Sequence, residues 1–318
     1  MIAAPVLDLD DQLAARAAWH YFVAGITQDQ IATKLGIPRA RVNRLLSEAR
    51  DKGLVQIRIT GKLASCIELE EQLKARFGLD EAVVVPTPPD EAQVRQVIAN
   101  AAGHVLTGRL RDGMSVGVGW GRTLRLSLRS VPHRPMRNVS VVSLLGGLTR
   151  GAAMNPHETA SHLADLLEAQ CYYVAAPAIT DSEEARDLLL AQPMIKDVFE
   201  KGRRVDLAFI SVGALSPDDT MPSVGLISPE DVAGLTAAGA VGDLSLQWID
   251  ILGRVVDHPV NRRSIALDLE SLGRIPCVIL ASGGLEKAAS IHGVLHGRHA
   301  DVVVTDEATA ERVLAFAA

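Results

Sequence analysis

The sequence predicts two domains of different class: an N-terminal all-α helix-turn-helix domain over residues 1–60, and a doubly wound, mostly parallel α/β domain over residues 61–318. Two observations predict this division. Residues 25–54 contain two short amphipathic helical segments joined by a tight turn. After residue 80, apolar runs alternate with helical segments, which is typical of a parallel sheet covered on both faces. A chain of 318 residues is long enough for two separate cores.

The helix-turn-helix is predicted mainly from its helix ends. Thr27 suits an N-cap, and Gln30 three positions later completes a capping box. Gly36 suits the left-handed residue that ends a helix, and Pro38 suits the first position of the next helix. We expect an additional helix from Asp11 to Ala24 beneath this pair. The apolar stripes of the pair consist of Ile31, Ala32, Leu35, Val42, Leu45, Leu46 and Ala49.

The outward face of the second helix is basic and carries an asparagine. Arginine can bind guanine and asparagine can bind adenine, each through two hydrogen bonds in the major groove. We therefore expect Arg39, Asn43 and Arg44 to contact bases of double-stranded operator DNA. Arg41 and Lys34 are expected to contact phosphates. The alternative is a solvated basic face on a small helical hairpin.

The basic charge of the chain is concentrated near its N-terminus. From Asp11 to Lys62 there are nine Lys and Arg residues against four Asp and Glu, whereas the whole chain has a formal net charge of −6. Phosphate affinity depends on local Lys and Arg. This distribution predicts that the chain touches a duplex only through its N-terminal module.

The remaining composition is that of an ordinary globular protein. Hydrophobic residues make up 48% of the chain and charged residues 22%. No apolar run reaches the ~20 residues of a membrane span, and acidic residues occur where a signal peptide would carry Lys or Arg. We therefore expect a cytoplasmic protein with no membrane partner. Three cysteines far apart in the chain, Cys66, Cys171 and Cys277, suggest neither disulfides nor zinc; no metal or other cofactor is predicted.

The boundary between the two domains is predicted near residues 61–80. Residues 54–59, LVQIRI, alternate as a short strand would, either as a wing or as an exit strand. Leu63 to Phe77 then follow a helical pattern, with Ile67, Leu69 and Leu73 on the apolar face. This helix either links the domains and contributes to dimerisation, or packs on its own C-terminal domain.

Glycine-bearing turns follow several predicted strands of the α/β domain. Ligands of open α/β sheets bind beyond the carboxyl ends of the strands, where glycine lets backbone N–H groups approach an anion. Arg122, Thr123 and Lys287 add side-chain donors, so a phosphate or polyol site is predicted. The alternative for each turn is a tight connection; the G-x-G-x-x-G spacing of a dinucleotide site is absent. The turns comprise Gly119, Trp120, Gly121, Gly146, Gly147, Gly213, Gly283 and Gly284.

Several acidic and histidine residues are candidates for further site residues. Asp243, Asp250 and Asp306 lie near predicted strand ends, where each can bind sugar hydroxyls or cap a turn. His292 and His296 have a spacing that can hold a metal, but no third ligand is evident, so we expect a surface pair.

The chain resembles the SorC family of bacterial sugar-binding transcriptional regulators over essentially its full length. The matching segments occur in the same order along the chain: TQDQIATKLGIPRARVNRLL, VGVGWGRTL, VSLLGGL followed by Asn155, DLAFISVGAL, GAVGD, and ASGGLEKAASIHGVLHGRHADVVVTDEATAERVL. Two positions depart from the family pattern. The family's G-x-G turn is here Val212-Gly213-Ala214-Leu215, and the residue before Asp250 is Ile249 instead of an aromatic.

The resemblance implies a transcriptional regulator of a carbohydrate or polyol catabolic operon, controlled by a sugar, polyol or sugar phosphate. It implies that the turn from Gly119 to Thr123 and Lys287 hold a phosphate, with Asp243 near the sugar hydroxyls. Asn155 is also expected among the effector-binding residues. It also implies a homodimer or homotetramer. The alternative is a sugar phosphate isomerase or deaminase carrying a DNA-binding module. Such an enzyme needs a base and a further positioned cation, and few lysines follow Lys74, so a regulator is favoured over an enzyme.

Overall fold

The computed structural model describes residues 9–51, 54, 62–148, 155–216, 220–223 and 225–317. The chain divides into two compact units, residues 1–60 and 61–318. Among the described residues, no helix is long and apolar enough to cross a lipid bilayer.

The N-terminal unit is a small helical bundle. It comprises α1 (Leu9–Ala18), a π-helical turn (Trp19–Val23), α2 (Gln28–Leu35) and α3 (Arg39–Asp51). The helix expected from Asp11 to Ala24 is therefore α1 continued by the π-helical turn. Of the predicted strand LVQIRI, residues 55–59 lie outside the described residues. The core of this unit consists of Ala14, Ala17, Ala18, Ile31, Val42, Leu45, Leu46 and Ala49.

The local signals at the helix ends are confirmed by the structure. The Thr27 side chain accepts a hydrogen bond from the Gln30 amide, and the Gln30 side chain accepts one from the Thr27 amide at 2.9 Å. Gly36 ends α2 with a φ of +64°. Pro38 was expected to be the first residue of α3, but α3 begins at Arg39, so Pro38 lies one position before the helix. Its carbonyl accepts hydrogen bonds from the amides of Arg41 and Val42 in the first turn.

The second unit is built on a seven-stranded parallel sheet with the strand order β1-β10-β9-β5-β2-β3-β4. The strands of this sheet are β1 (Glu81–Val85), β2 (Ser115–Val118), β3 (Ser140–Gly147), β4 (Gln170–Pro177), β5 (Leu207–Ile210), β9 (Val278–Ala281) and β10 (Val302–Asp306). The helices are α4 (Lys62–Phe77), α5 (Glu91–Arg109), α6 (Arg122–Ser127), α7 (Pro156–Leu167), α8 (Glu183–Leu190), α9 (Pro193–Gly202), α10 (Thr220–Ser223), α11 (Pro229–Ala237), α12 (Pro259–Arg263), α13 (Leu269–Leu272), α14 (Ala288–His296) and α15 (Glu307–Ala315).

Helices cover both faces of the sheet, as the apolar strands predict. Along β5, Ala208 and Ile210 belong to one hydrophobic cluster, whereas Leu207 and Phe209 belong to another. Successive side chains of a strand point to opposite faces, so the two clusters lie on opposite sides of the sheet. This arrangement confirms the predicted doubly wound α/β fold.

The predicted strand DLAFISVG is two strands that belong to different sheets. β5 ends at Ile210 and β6 (Val212–Ala214) begins after Ser211. β6 pairs antiparallel with β7 (Gly242–Leu244), which pairs with β8 (Gln247–Ile249). The prediction of a single strand was wrong. A nearly continuous apolar run does not indicate that the chain stops pairing in the large sheet at Ser211 and starts pairing in the small one.

Helix α4 packs on its own unit, which is one of the two alternatives that the sequence left open. Cys66, Leu69, Leu73 and Phe77 are buried in the same cluster as residues of β1 and α15. The Glu70 carboxylate also accepts a hydrogen bond from the backbone amide of Val84 at 2.9 Å. This bond joins α4 to β1, which is an edge strand of the sheet.

Candidate functional site

A cavity of about 180 Å³ lies at the carboxyl ends of β2, β5 and β9, three adjacent strands of the large sheet. We call it the effector cavity. Its lining comes from the turns after these strands, from the small antiparallel sheet and from α5. The lining residues are Arg95, Trp120, Gly121, Arg122, Thr123, Ser211, Val212, Gly213, Ser216, Met221, Asp243, Glu286 and Lys287.

The turn after β2 supplies one wall of this cavity. Gly121 precedes α6 with a φ of +133°, a backbone conformation that L side chains rarely adopt. Trp120 and Thr123 are both buried, and Arg122 is exposed. The glycine therefore allows the sharp entry into α6 that brings an indole, a guanidinium and a hydroxyl to the same cavity.

Asp243 reaches the cavity from β7. Its side chain is 4% exposed, and its Oδ2 accepts the amide of Leu246 at 3.1 Å. That bond closes a turn in which Ser245 and Leu246 have positive φ angles of 51° and 67°. Asp243 thus holds its own hairpin in shape while presenting a carboxylate to the cavity.

Five of the predicted effector residues lie away from the described lining of this cavity, and four of them have evident packing roles. Gly119 is buried and donates to the Phe209 carbonyl at 2.9 Å. A side chain at Gly146 would collide with the Pro177 carbonyl. A side chain at Gly147 would collide with the His157 ring. Asn155 caps α7 and donates to the Leu148 carbonyl at 3.0 Å.

The fifth, Gly283, lines a neighbouring cavity of about 400 Å³. Arg95 and Glu286 line both cavities. Asp306 also lines the second cavity and caps α15, so its carboxylate is part of a helix end.

Asp250 and His292 have structural roles. Asp250 Oδ1 accepts the amides of Leu252 and Arg254, each at 2.9 Å, which closes a turn. His292 is 1% exposed, so the expected surface pair with His296 was wrong. Burial lowers the pKa of His292, and the described residues contain no cluster of side chains that could hold a metal ion.

The five residues predicted to contact DNA lie on α2 and α3, and four of them are exposed to solvent. Arg39 and Arg44 have side chains that are 62% and 66% exposed, and Asn43 and Lys34 are also exposed. Arg41 is only partly exposed and donates to Asp10 of α1 at 3.0 Å. All five side chains therefore reach solvent in the folded N-terminal unit, Arg41 with the smallest exposed fraction, 41%, of the three arginines.

Comparison with known families connects both units to one class of protein. The family model described as "Putative sugar-binding domain" matches residues 62–315, which is most of the chain. A model described as "Winged helix-turn-helix DNA-binding" matches residues 24–56. The chain belongs to the SorC family of sugar-binding transcriptional regulators.

Three relatives illustrate the similarity. The erythritol catabolism regulatory protein EryD of Brucella abortus is 32% identical over 96% of this chain and 98% of its own. The sorbitol operon regulator of Klebsiella pneumoniae is 30% identical over 96% and 98%. The crystal structure of the full-length sorbitol operon regulator SorC from Klebsiella pneumoniae has a TM-score of 0.74 at 28% identity, over 96% of this chain and 100% of its own.

Membership in the SorC family makes this chain a DNA-binding transcriptional regulator and gives no support to the enzyme alternative. The departure from the family pattern at Gly213 lies within the effector cavity, since Val212 and Gly213 both line it. The departure before Asp250 concerns Ile249, which is fully buried.

Four polar or charged lining residues of this cavity were missed in the sequence: Arg95, Ser211, Ser216 and Glu286. Arg95 lies in the second turn of α5, far from any glycine turn in the chain. Ser211 occupies the break between β5 and β6. Of these four residues, only Glu286 is adjacent in sequence to a predicted site residue, Lys287. That adjacency could have indicated that Glu286 lines the cavity.

The charged groups of the cavity favour an anion that also carries hydroxyl groups. Arg95, Arg122 and Lys287 bring three cationic side chains against two carboxylates, those of Asp243 and Glu286. Cationic donors bind phosphate oxygens strongly, and carboxylates accept from hydroxyls.

Proposed function

We propose that a sugar, polyol or sugar phosphate binds in the effector cavity and alters the affinity of the N-terminal unit for operator DNA. The observation that carries this proposal is the convergence of Arg122, Thr123, Lys287 and Asp243, from distant parts of the chain, at one cavity. A phosphate would contact the cationic side chains and Thr123, and hydroxyl groups would donate to Asp243.

The size of the cavity favours a small carbohydrate. Sites for drug-sized ligands are typically ~300–1,000 Å³, whereas this cavity is about 180 Å³. Trp120 adds a buried aromatic wall against which the C–H groups of a sugar or polyol can pack. Two relatives are named for erythritol and sorbitol, both polyols. We infer that the regulated operon serves the catabolism of a related carbohydrate or polyol.

The regulator is proposed to bind DNA in the cytoplasm as a homodimer or homotetramer. A single helix-turn-helix contacts only one half-site, and two-fold symmetric operators match two-fold symmetric proteins. Effector binding can change DNA affinity only if the effector binds two states of the protein with different affinity. We assign Arg39, Asn43 and Arg44 to bases, and Arg41 and Lys34 to phosphates.

A thermal-shift screen of the full-length protein tests the effector class. The compounds are erythritol, sorbitol, ribose 5-phosphate, erythritol 4-phosphate, sorbitol 6-phosphate and inorganic phosphate. A ligand at 100 times its Kd stabilises the folded state by ~2.7 kcal/mol, so a binding compound raises the Tm. Lys287→Ala should lose that increase, whereas Lys201→Ala, outside the effector cavity, should retain it. Equal Tm increases in both variants would contradict the proposed site.

A further inference from the structure

We propose that the turn Gly283–Lys287 of the effector cavity is mechanically coupled to α4 through the first turn of α15. This inference rests on the proposed function, because it identifies how occupancy of the effector cavity reaches the helix that follows the N-terminal unit in the chain. The coupling consists of three sets of contacts: turn to α15, α15 to its buried cap, and α15 to α4.

The turn is hydrogen-bonded directly to the beginning of α15. The Gly284 amide donates to Asp306 Oδ1 at 3.2 Å and to Thr309 Oγ1 at 2.8 Å. Gly284 has a φ of +99°, and a side chain at Gly283 would overlap Asp306 Oδ1. The backbone of the turn therefore lies so close to the N-terminus of α15 that there is no room for a side chain at residue 283.

The first turn of α15 is held by a buried set of hydrogen bonds. Asp306 is 1% exposed and its Oδ2 accepts the Thr309 amide at 3.3 Å, which makes it the N-cap of α15. Thr87 Oγ1 donates to the same carboxylate at 2.8 Å and accepts the Ala308 amide at 2.8 Å. Removing one member leaves other buried groups unpaired, so displacement of the turn must displace or break this cap.

Helix α15 is in turn attached to α4 near both of its ends. At its beginning, Glu307 accepts a hydrogen bond from Ser65 Oγ. At its end, Arg76 donates to the carbonyls of Leu314 and Phe316, the latter at 2.6 Å. Between these contacts, Ala310 and Val313 of α15 belong to the same buried cluster as residues of α4.

These contacts make α15 a rigid connection between the effector turn and α4. Lys287 and Glu286 line the effector cavity at one end of the connection. At the other end, α4 is the first described helix after residue 61, so the chain passes from the N-terminal unit into α4. A ligand that draws Lys287 or Glu286 inward changes the position of the Gly284 amide and thereby the cap of α15.

Hydrogen–deuterium exchange of the full-length protein tests the coupling without effector or DNA. Gly284→Ala places a side chain at a positive φ beside the Glu286 carboxylate and perturbs the turn. We expect amide exchange to rise about fivefold or more in the first turn of α15 and along α4. Gly113→Ala is the matched control: Gly113 also has a positive φ, of +82°, and precedes β2 at the opposite end of the sheet. It should leave exchange in α4 unchanged.

A second background identifies the contacts that transmit the change. In Ser65→Ala/Arg76→Met, Gly284→Ala should still raise exchange in the first turn of α15 but should add nothing further along α4. Ser115→Ala is the control for the loss of a hydrogen bond from a serine to a carboxylate. Ser115 Oγ donates to Asp206 at 2.9 Å, and neither residue belongs to α4 or α15. If Gly284→Ala does not fold, Thr309→Val is used instead: it removes one of the two acceptors of the Gly284 amide and the hydroxyl that donates to Asp306 Oδ1.

The proposal is overturned if α4 exchange is unaffected by Gly284→Ala, or if Gly113→Ala affects it equally. It is also overturned if the Gly284→Ala effect on α4 is the same with and without Ser65 and Arg76. Because these measurements use no effector, they stand apart from the thermal-shift screen. Failure of that screen contradicts the proposed effector, whereas failure here contradicts only the route.

Discussion

Arg41 of α3 donates a hydrogen bond to Asp10 of α1 at 3.0 Å, so one of the arginines proposed to contact DNA joins two helices of the N-terminal unit. Arg39 and Arg44 also have acidic neighbours, Asp29 at 3.3 Å and Glu48 at 3.4 Å. Their side chains are more exposed than that of Arg41, and exposed ion pairs contribute only ~0–1 kcal/mol. The Arg41–Asp10 pair is exposed as well, at 41% and 52% of the two side chains, so all three arginines can exchange these partners for DNA.

Removing the partner of Arg41 should strengthen binding to DNA of any sequence. In Asp10→Asn, one negative charge is lost beside α3 and Arg41 loses its charged partner. We expect tighter binding to random-sequence duplex at low salt, an effect that shrinks as salt is added. The Tm should change little. Fluorescence anisotropy at several salt concentrations measures this, with Glu230→Gln on α11 as the control for net charge. Equal tightening in both variants would show that only total charge matters.

Arg44 and Lys34 should differ in what they contribute to operator binding. Arg44→Ala should cost ~1–3 kcal/mol at the operator and relax the preference at one base pair. Lys34→Ala should weaken binding to all duplexes alike and reduce the salt dependence by about one phosphate contact. Binding to a library of single-base operator variants separates the two. If the Arg44→Ala variant keeps the sequence preference of the wild type, Arg44 does not contact a base.

The capping box of α2 should stabilise the N-terminal unit measurably. Thr27→Ala removes the side chain that accepts from the Gln30 amide and should cost ~0.5–2 kcal/mol. Thr33→Ala is a matched control, because the Thr33 hydroxyl donates to the Asp29 carbonyl within the same helix and does not cap it. Amide exchange of α2 in the full-length protein reports the difference. Similar exchange in the two variants would assign the stability of α2 to its packing instead of its cap.

Features encoded within a few residues of each other were predictable from the sequence. Thr27 and Gln30 are three positions apart, and Gly36 needs only its own backbone conformation. The doubly wound sheet was also predictable, because its central strands β5 and β9 are buried on both faces and apolar at every position. The small antiparallel sheet was missed, since strands of three residues such as β6 and β7 are too short for a period to be visible.

The effector cavity was only partly predictable because its members are brought together by the fold. Lys287 and Thr123 follow strands that end at the same edge of the sheet, which the chain order suggests. Arg95 comes from the side of a helix, and nothing in its neighbourhood marks it. Gly146 and Gly147 show the converse: their glycine signal was real, but close packing against Pro177 and His157 accounts for it.

The stability of the α/β unit should fall as the pH drops below about 6.5, partly through His157. Burial lowers the pKa of His157, although its hydrogen bond to the Val174 carbonyl at 2.9 Å raises it in part. The unfolded chain then binds a proton more readily than the folded one, so the contribution is complete above the unfolded pKa of ~6.5 and is lost below it. His157→Gln should flatten the decrease in Tm between pH 7.5 and 5.5. The exposed His133→Gln should not; equal flattening would exclude His157 as the source.

Lys287, Thr123 and Arg95 should set the concentration of effector that the regulator needs. Losing a charged hydrogen bond to the ligand costs ~1.5–3 kcal/mol, which is roughly ten- to a hundredfold in concentration. Lys287→Ala and Arg95→Met should each raise the effector midpoint by that amount in an operator-binding titration. Thr123→Val removes a neutral hydroxyl and should raise it less. Operator affinity without effector should stay near the wild-type value in all three, since these side chains line the effector cavity and belong to the α/β unit.

Lys201→Ala provides the control for this titration, because Lys201 is a cation of the same unit that pairs with Asp197 at 3.2 Å outside the effector cavity. Its midpoint should match the wild type. The three substitutions also distinguish where the anionic group of the effector binds. A large increase for Lys287→Ala with none for Arg95→Met would place the anion at the turns after β2 and β9, whereas the reverse would place it towards the neighbouring cavity that Arg95 also lines. An unchanged midpoint in both would contradict the effector cavity as the binding site.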